Sequence, residues 1–177
     1  MGVVWIFDGT SPQTSPSALA LQAVSHLPLP DASAGMSPSA SSVTVNVPTW
    51  LWVNLSMWHA ISASASAGPV SATATAMPLE VVWQMGDGSR ITCDGPGTPW
   101  TPQEPADQSS DCSYTYSQSS ANQPNGTYIV TTTVYWHVTW TSLGAPGGGD
   151  LGLVPRRSVQ TPVTVSEVHA INRGSSA

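Results

Sequence analysis

Two cysteines, Cys93 and Cys112, are the residues of this chain best suited to covalent chemistry. They enclose a stretch rich in Pro, Gly, Ser and Asp, which is typical of a bridged loop, whereas a zinc site needs more ligands at shorter spacing. A disulfide that closes a loop of this size contributes roughly 3 kcal/mol by restricting the unfolded chain. The pair predicts a disulfide and an oxidising compartment; the alternative is two free buried thiols.

Four aspartates in or after a glycine-rich turn are the candidate metal ligands. They are Asp87, in the turn Gly86-Asp87-Gly88, and Asp94, Asp107 and Asp111, in the loop that follows. Calcium takes six or more oxygen ligands, and the chain has no dense Asp-x-Asp-x-Asp run. Asp87 and Asp94 are the calcium candidates, but we expect instead that Asp87 accepts hydrogen bonds from the backbone of its own structural turn. No cofactor is predicted.

Three tryptophans, Trp50, Trp52 and Trp58, form a third candidate site. They occupy even positions of a stretch whose odd positions are apolar, so we expect them to face away from the main core. Flat ring faces stack on the C–H groups of sugars while nearby Asn and Thr provide hydrogen bonds. The three residues are candidates for an aromatic contact surface for polysaccharide, but we expect instead that they pack under the amino-terminal segment or in a subunit contact.

The composition of the 177-residue chain excludes several classes of function. It contains no lysine, four arginines, 8% charged residues and a net charge of −6, so it lacks the dense basic face that nucleic acid requires. The sequence has no Gly-x-Ser-x-Gly elbow and no His-Glu-x-x-His helix, and we expect no enzymatic activity. No run of about 20 apolar residues is present, so a membrane-spanning segment is not expected.

The hydrophobic pattern divides the chain into three parts. Residues 1–41 are predicted to be an arm, with a β-prone segment at 3–7 and a short helix that begins at Ser15-Pro16. Residues 42–172 are predicted to be a β-sandwich, and residues 173–177 a tail. The arm has too little apolar surface to fold alone, so we expect it to dock on this domain or on a neighbouring chain, or to remain mobile.

Alternating apolar residues in the second part predict seven or more short strands. Odd positions from Val43 to Leu55 and from Leu79 to Met85 are predicted to face the core, as are even positions from Tyr128 to Trp140. Gly68-Pro69 is predicted to be the turn of a hairpin. Residues 142–155 are predicted to form a glycine-rich, mobile loop. Many short strands and one helix favour an all-β fold, an antiparallel β-sandwich.

Three motifs resemble the polycystic kidney disease (PKD) domain. They are Trp83-Gln84-Met85-Gly86-Asp87-Gly88-Ser89, Tyr114-Thr115-Tyr116, and Asn125-Gly126-Thr127-Tyr128-Ile129-Val130-Thr131-Thr132-Thr133-Val134. The family pattern is Trp-x-Phe-Gly-Asp-Gly, a later His-x-Tyr, and a Pro-Gly-x-Tyr-x-Val strand, so Met85 and Tyr114 depart from it. The match covers roughly residues 70–140. The Pro-Thr-Trp-Leu-Trp segment at 48–52, the Gly-Asp-Gly turn, the paired cysteines and the Val-x-Glu-Val at 165–168 together resemble PKD-type proteins that actinobacteria secrete or anchor in their envelope.

This resemblance implies an immunoglobulin-like sandwich that acts outside the cell without catalysis. We expect a secreted or cell-surface protein and, since its first residues lack the features of a signal peptide, a mature fragment of an exported protein. One hypothesis is a structural or adhesion module that self-assembles through its arm or contacts other envelope proteins. The alternative is a module that binds polysaccharide or cell wall as part of a larger secreted protein.

Overall fold

The computed structural model describes residues 15–105 and 108–167, and strands predominate in these residues. They form one α-helix, eleven strands and two short 3-10 helices. The helix is α1 (Pro16–Ser25), and the strands are β1 (Ala34–Ser37), β2 (Val43–Thr44), β3 (Pro48–Val53), β4 (Ile61–Ala67), β5 (Val70–Gln84), β6 (Arg90–Asp94), β7 (Ser113–Thr115), β8 (Tyr128–Leu143), β9 (Gly148–Pro155), β10 (Val159–Val163) and β11 (Val165–Ser166). The all-β prediction is confirmed.

The strands pair mainly in an antiparallel manner. One sheet has the order β1-β3-β7, and a six-stranded sheet has the order β10-β8-β5-β4, with β6 also paired to β5 and β9 to β8. The antiparallel prediction needs one correction, because β11 runs parallel to β2, with Val165 opposite Val43. A parallel pair cannot be joined by a hairpin, so alternation along the chain gave no sign of it.

The chain divides into two compact units. The smaller contains α1, β4, the part of β5 up to Ala76 and Val138–Gly152; the larger contains Leu29–Ala60, Met77–His137 and the described residues from Leu153 onwards. The predicted arm is therefore divided between the units at Pro28. Within it, Ala34–Ser37 forms β1 and pairs with β3, although the alternation starts only at residue 42.

The smaller unit combines the helix with an alanine-rich hairpin. The Ser15 hydroxyl caps α1 by accepting a hydrogen bond from the Ala18 amide, as the sequence predicts. The helix contacts β4 and buries Leu19, Ala20 and Ala23. The hairpin joins β4 to β5 at Gly68-Pro69, as predicted. The buried side chains of the hairpin are mostly alanines, which are small enough to let the helix pack closely on β4.

The larger unit has a core of the β-sandwich kind. Fully buried side chains come from β3 in one sheet and from β5 and β8 in the other; they include Leu51, Val53, Val81, Trp83, Val130, Val134 and Trp136. The predicted even face of β8 is buried from Tyr128 to Val138. Two predicted core positions are wrong: Leu55 is 54% exposed in a 3-10 helix, and Leu79 is 50% exposed. In β5 the even-numbered side chains are buried as far as Ala76, whereas the odd-numbered Val81 is buried further along the strand. Leu79 precedes this change, so its side chain does not face the core.

The glycine-rich stretch at residues 142–155 is not wholly a loop. Gly148–Pro155 forms β9 and pairs with β8. The Ser142 hydroxyl donates to the carbonyls of Ala145 and Gly147, which closes the connection between the two strands. Glycine has low strand propensity, so the sequence pattern concealed a strand whose backbone pairing comes from its neighbour.

Candidate functional site

The disulfide loop is the element that completes the candidate site. Cys93 in β6 is bonded to Cys112, with their Cα atoms 5.5 Å apart, so the predicted pairing is confirmed. The Cys112 carbonyl accepts a hydrogen bond of 2.9 Å from the Leu51 amide in β3. The Val53 amide likewise donates to the Pro96 carbonyl, so both ends of the disulfide loop are held beside β3, the strand that contains the first two candidate tryptophans.

Trp50 and Trp52 lie on the same side of β3, because residues two apart in a strand point to one face of the sheet. The opposite side presents the buried Leu51 and Val53 to the core. The predicted orientation of these tryptophans away from the main core agrees with this alternation. β1 and β7 flank β3, with Ser37 and Ser113 opposite Trp50.

Trp50 is nevertheless buried. Only 4% of its surface is exposed, and its indole N–H donates a 2.6 Å hydrogen bond to the Gln108 carbonyl in the disulfide loop. Its remaining surface contributes to a cleft of about 250 Å³ lined by Ser37, Pro38, Pro48, Trp50 and Trp100. Trp50 is therefore covered by the disulfide loop, whereas the sequence-based expectation named the amino-terminal segment or a subunit contact as the covering element.

Trp52 is half-buried and lines a second cleft, of about 320 Å³. The cleft is lined by Ser33, Ala34, Gly35, Trp52, Asn54, Leu55 and Pro99. Gly35 stands opposite Trp52 in β1, and a Cβ atom there would collide with the indole ring. The missing side chain at residue 35 allows the ring to lie against the backbone of β1, with its remaining surface available to a ligand.

Trp100 is the site residue that sequence reasoning missed. It is half-buried and lines the Trp50 cleft, while its neighbour Pro99 lines the Trp52 cleft. The two clefts are therefore adjacent, and we call Trp50, Trp52, Pro99 and Trp100 the aromatic surface. Trp58 follows a 3-10 helix and lines neither cleft. The sequence signal that could have identified Trp100 is its position between Cys93 and Cys112, inside the loop predicted to be closed by a disulfide.

Asp87 is held by its own turn and by a tyrosine. Its Oδ1 accepts a 2.9 Å hydrogen bond from the Ser89 amide, and its Oδ2 accepts one of 2.6 Å from the Tyr114 hydroxyl. Gly86 and Gly88 have φ values of +84° and +95°, which side chains rarely adopt. The expected bond from the turn backbone is thus present, and Tyr114 is a partner that the sequence did not predict.

The other calcium candidates lie elsewhere. Asp94 is at the end of β6 remote from the Asp87 turn, opposite Glu80, and Asp111 accepts a hydrogen bond from the Thr98 amide. Asp107 lies outside the described residues. Within residues 15–105 and 108–167, no three His, Cys, Asp or Glu side chains form a group suited to a metal ion.

Three tyrosines pack beside the Asp87 turn. Tyr116 stacks on Tyr128 with ring centroids 5.2 Å apart, and the Tyr114 ring meets Tyr116 edge-on at 4.9 Å. The Tyr116 hydroxyl donates to the Met85 carbonyl. Burial, and then the negative charge of Asp87, raise the pKa of Tyr116 far above that of an ordinary phenol. Burial likewise raises the pKa of Tyr114 and Tyr128, with a contribution from Asp87.

This cluster predicts loss of stability in alkali. Because the folded protein holds the Tyr116 proton more tightly than the unfolded chain, stability is fully present below the pKa of an unfolded tyrosine, about 10, and falls as the pH rises above it. The free energy of unfolding by urea should therefore be nearly constant up to about pH 9 and decrease progressively as the pH rises above about 10. Tyr116→Phe should be less stable at neutral pH but show a shallower decrease. Equal pH dependence in both proteins would contradict the assignment.

Comparisons with protein families, with curated proteins and with solved structures each gave no match to this chain. No helix in the described residues is long and apolar enough to cross a membrane.

Proposed function

We propose that this protein is a non-catalytic extracellular adhesion module with an immunoglobulin-like fold of the PKD type, and that its aromatic surface binds an uncharged polysaccharide. The observation that carries this proposal is the pair of adjacent clefts built on Trp52 and Trp100. The disulfide supports a location in an oxidising compartment. The PKD motifs support the fold type.

The chemistry of the cleft linings favours a neutral ligand. No charged side chain lines either cleft among the described residues, so neither offers a partner for a charged ligand. The indoles of Trp52 and Trp100 provide apolar ring surface, and Asn54, Ser33 and Ser37 provide hydrogen-bonding groups beside it. This combination of apolar rings and a few polar groups suits a sugar ring, which has apolar C–H faces and a hydroxylated rim.

The arrangement of the clefts favours an extended ligand. Trp50 and Trp52 are two residues apart in β3, a translation of about 6.6–6.8 Å along the strand. In the covering loop, Pro99 lines the same cleft as Trp52 and Trp100 lines the same cleft as Trp50. A chain of linked sugars contacts both clefts at once, so each adds to the affinity without a deep pocket.

Self-assembly through the arm stays a prediction. It depends on where residues 3–7 lie, and these are outside the described residues. The aromatic surface provides an independent contact region, so adhesion does not require the arm.

The proposal predicts that the double variant Trp52→Ala/Trp100→Ala loses retention on insoluble polysaccharide. Each indole removed should weaken binding about tenfold, since loss of one aromatic contact costs about 1.4 kcal/mol. Retention would be measured by pull-down with cellulose, chitin and peptidoglycan. Trp50→Ala is unsuitable, because removal of so buried a ring costs about 3–5 kcal/mol of stability.

The matched control is Trp58→Ala, which removes an indole outside both clefts and should retain binding. Thermal unfolding of every variant would show that the fold persists. Wild-type protein that binds none of the three polymers, or a double variant that binds as well as wild type, would contradict the proposal. Light scattering of full-length protein and of a variant lacking residues 1–41 tests assembly separately.

A further inference from the structure

A third cleft lies beside the Asp87 turn and is chemically unlike the aromatic surface. It has a volume of about 210 Å³ and is lined by Asp87, Ser89, Tyr114, Ser117, Gln118, Gln123 and Tyr128. Every one of these side chains contains a polar group. The volume corresponds to about seven water molecules in the liquid, which suits a ligand of monosaccharide size.

Asp87 gives this cleft a fixed negative charge. Its carboxylate is oriented by the Ser89 amide at 2.9 Å and the Tyr114 hydroxyl at 2.6 Å. An ionised carboxylate has about four acceptor positions, so two remain for a ligand after these bonds. The turn is exposed, and its acceptors are reached from solvent.

No positive side chain balances this charge within the cleft lining that the structure describes. The negative field extends over the neighbouring rings, since Asp87 contributes to the raised pKa of Tyr114, Tyr116 and Tyr128. Of these rings only that of Tyr114 is partly exposed, since Tyr116 and Tyr128 are buried and stacked on each other; a phenol ring attracts cations through the negative charge on its face. A cation is the ligand that this environment stabilises most.

We infer that the cleft lined by Asp87, Tyr114 and Tyr128 binds the primary ammonium group of an amino sugar. The ammonium donates three hydrogen bonds, and the free acceptor positions of the Asp87 carboxylate accept up to two of them. The amides of Gln118 and Gln123 and the hydroxyl of Ser117 supply partners for sugar hydroxyls. One carboxylate suits an organic ammonium, whereas calcium requires six or more oxygens. This site is separate from the aromatic surface and does not depend on its function.

The test compares two sugars of the same ring shape, glucosamine and N-acetylglucosamine, by isothermal titration calorimetry and by NMR shifts of the Asp87 and Ser89 amides. Glucosamine carries the ammonium, and acetylation removes its charge. We expect glucosamine to bind several-fold more tightly, because charge-assisted hydrogen bonds are about twice as strong as neutral ones, although solvent screens the exposed Asp87. Asp87→Asn should weaken glucosamine binding by a similar factor.

Two further variants make the test independent of any damage to the turn. Asp94→Asn removes the same charge from the far end of β6 and should leave glucosamine binding unchanged. Gln118→Glu adds a second carboxylate to the cleft without altering the turn, and should increase the preference for glucosamine over N-acetylglucosamine several-fold, because any change in the bonds to the sugar hydroxyls is common to both sugars. Absence of glucosamine binding, equal binding of both sugars, or no effect of Gln118→Glu would overturn the inference. Loss of polysaccharide retention in the tryptophan variants would leave it standing.

Discussion

Gly97→Ala is expected to lose about 3 kcal/mol or more of stability, because overpacking against rigid backbone costs about 1–3 kcal/mol and the left-handed conformation adds about 1–2 kcal/mol. Gly97 has a φ of +75°, and a Cβ atom there would collide with the carbonyl oxygen of Leu51. The same Cβ would lie 3.1 Å from the Cα of Trp52 and 3.2 Å from the Cβ of Cys112. None of these atoms is the end of a flexible side chain, so the loop must move away from β3.

Gly95→Ala is the matched control for this prediction. Gly95 lies in the same loop with a φ of +96°, but a Cβ atom there would meet nothing within 4 Å. It should lose only the cost of a left-handed conformation, about 1–2 kcal/mol. Urea unfolding of both variants gives the difference. Equal losses would show that the collision with Leu51 is relieved at no cost.

Gly97→Ala should also weaken polysaccharide binding. The loop between the cysteines contributes Pro99 and Trp100 to the clefts, and its displacement from β3 separates them from Trp52 and Trp50. Retention on polysaccharide at a temperature where the variant remains folded measures this effect. Gly95→Ala should retain binding.

Removal of the disulfide by Cys93→Ala/Cys112→Ala should lower the free energy of unfolding by about 3 kcal/mol, the value for a loop of this length. The sequence separation of the cysteines is 19 residues. Both residues are buried, at 6% and 2% exposure, and the Cys112 carbonyl is bonded to the Leu51 amide. The bridge thus restricts a long loop in the unfolded chain and anchors it to β3 in the folded one.

Reduction provides the control for the disulfide prediction. Dithiothreitol should destabilise the wild-type protein by a similar amount and leave the double alanine variant unchanged. The midpoint of urea unfolding, with and without reductant, measures both effects. A wild-type protein as stable after complete reduction as before it would contradict the prediction.

Local patterns predicted much of the fold. The cap of α1, the hairpin at Gly68-Pro69 and the buried even face of β8 depend on residues near one another in sequence. The wrong positions have local causes of another kind: Leu55 enters a 3-10 helix, and the buried parity of β5 changes before Val81. Strict alternation does not survive such irregularities, because one added residue turns every later side chain to the other face.

The candidate site was predictable only in part. Alternation along β3 placed Trp50 and Trp52 on one face, but it did not reveal that the disulfide loop covers Trp50 and leaves part of Trp52 exposed. The Gly-Asp-Gly motif predicted a turn with Asp87 bonded to its backbone, but not the bond from Tyr114, which is 27 residues away. In each case the missing partner comes from a segment distant in sequence.

The sequence by itself determined the strand-rich composition, the lack of lysine and basic surface, the pairing of its only two cysteines and the residues suited to chemistry. Tertiary structure decided which tryptophans are available, since Trp100 reaches the surface of β3 only when the loop between Cys93 and Cys112 folds over it. It also decided that Asp87 stands among tyrosines. Side-chain type and period are local properties, whereas exposure and electrostatic environment depend on contacts between segments far apart in the chain.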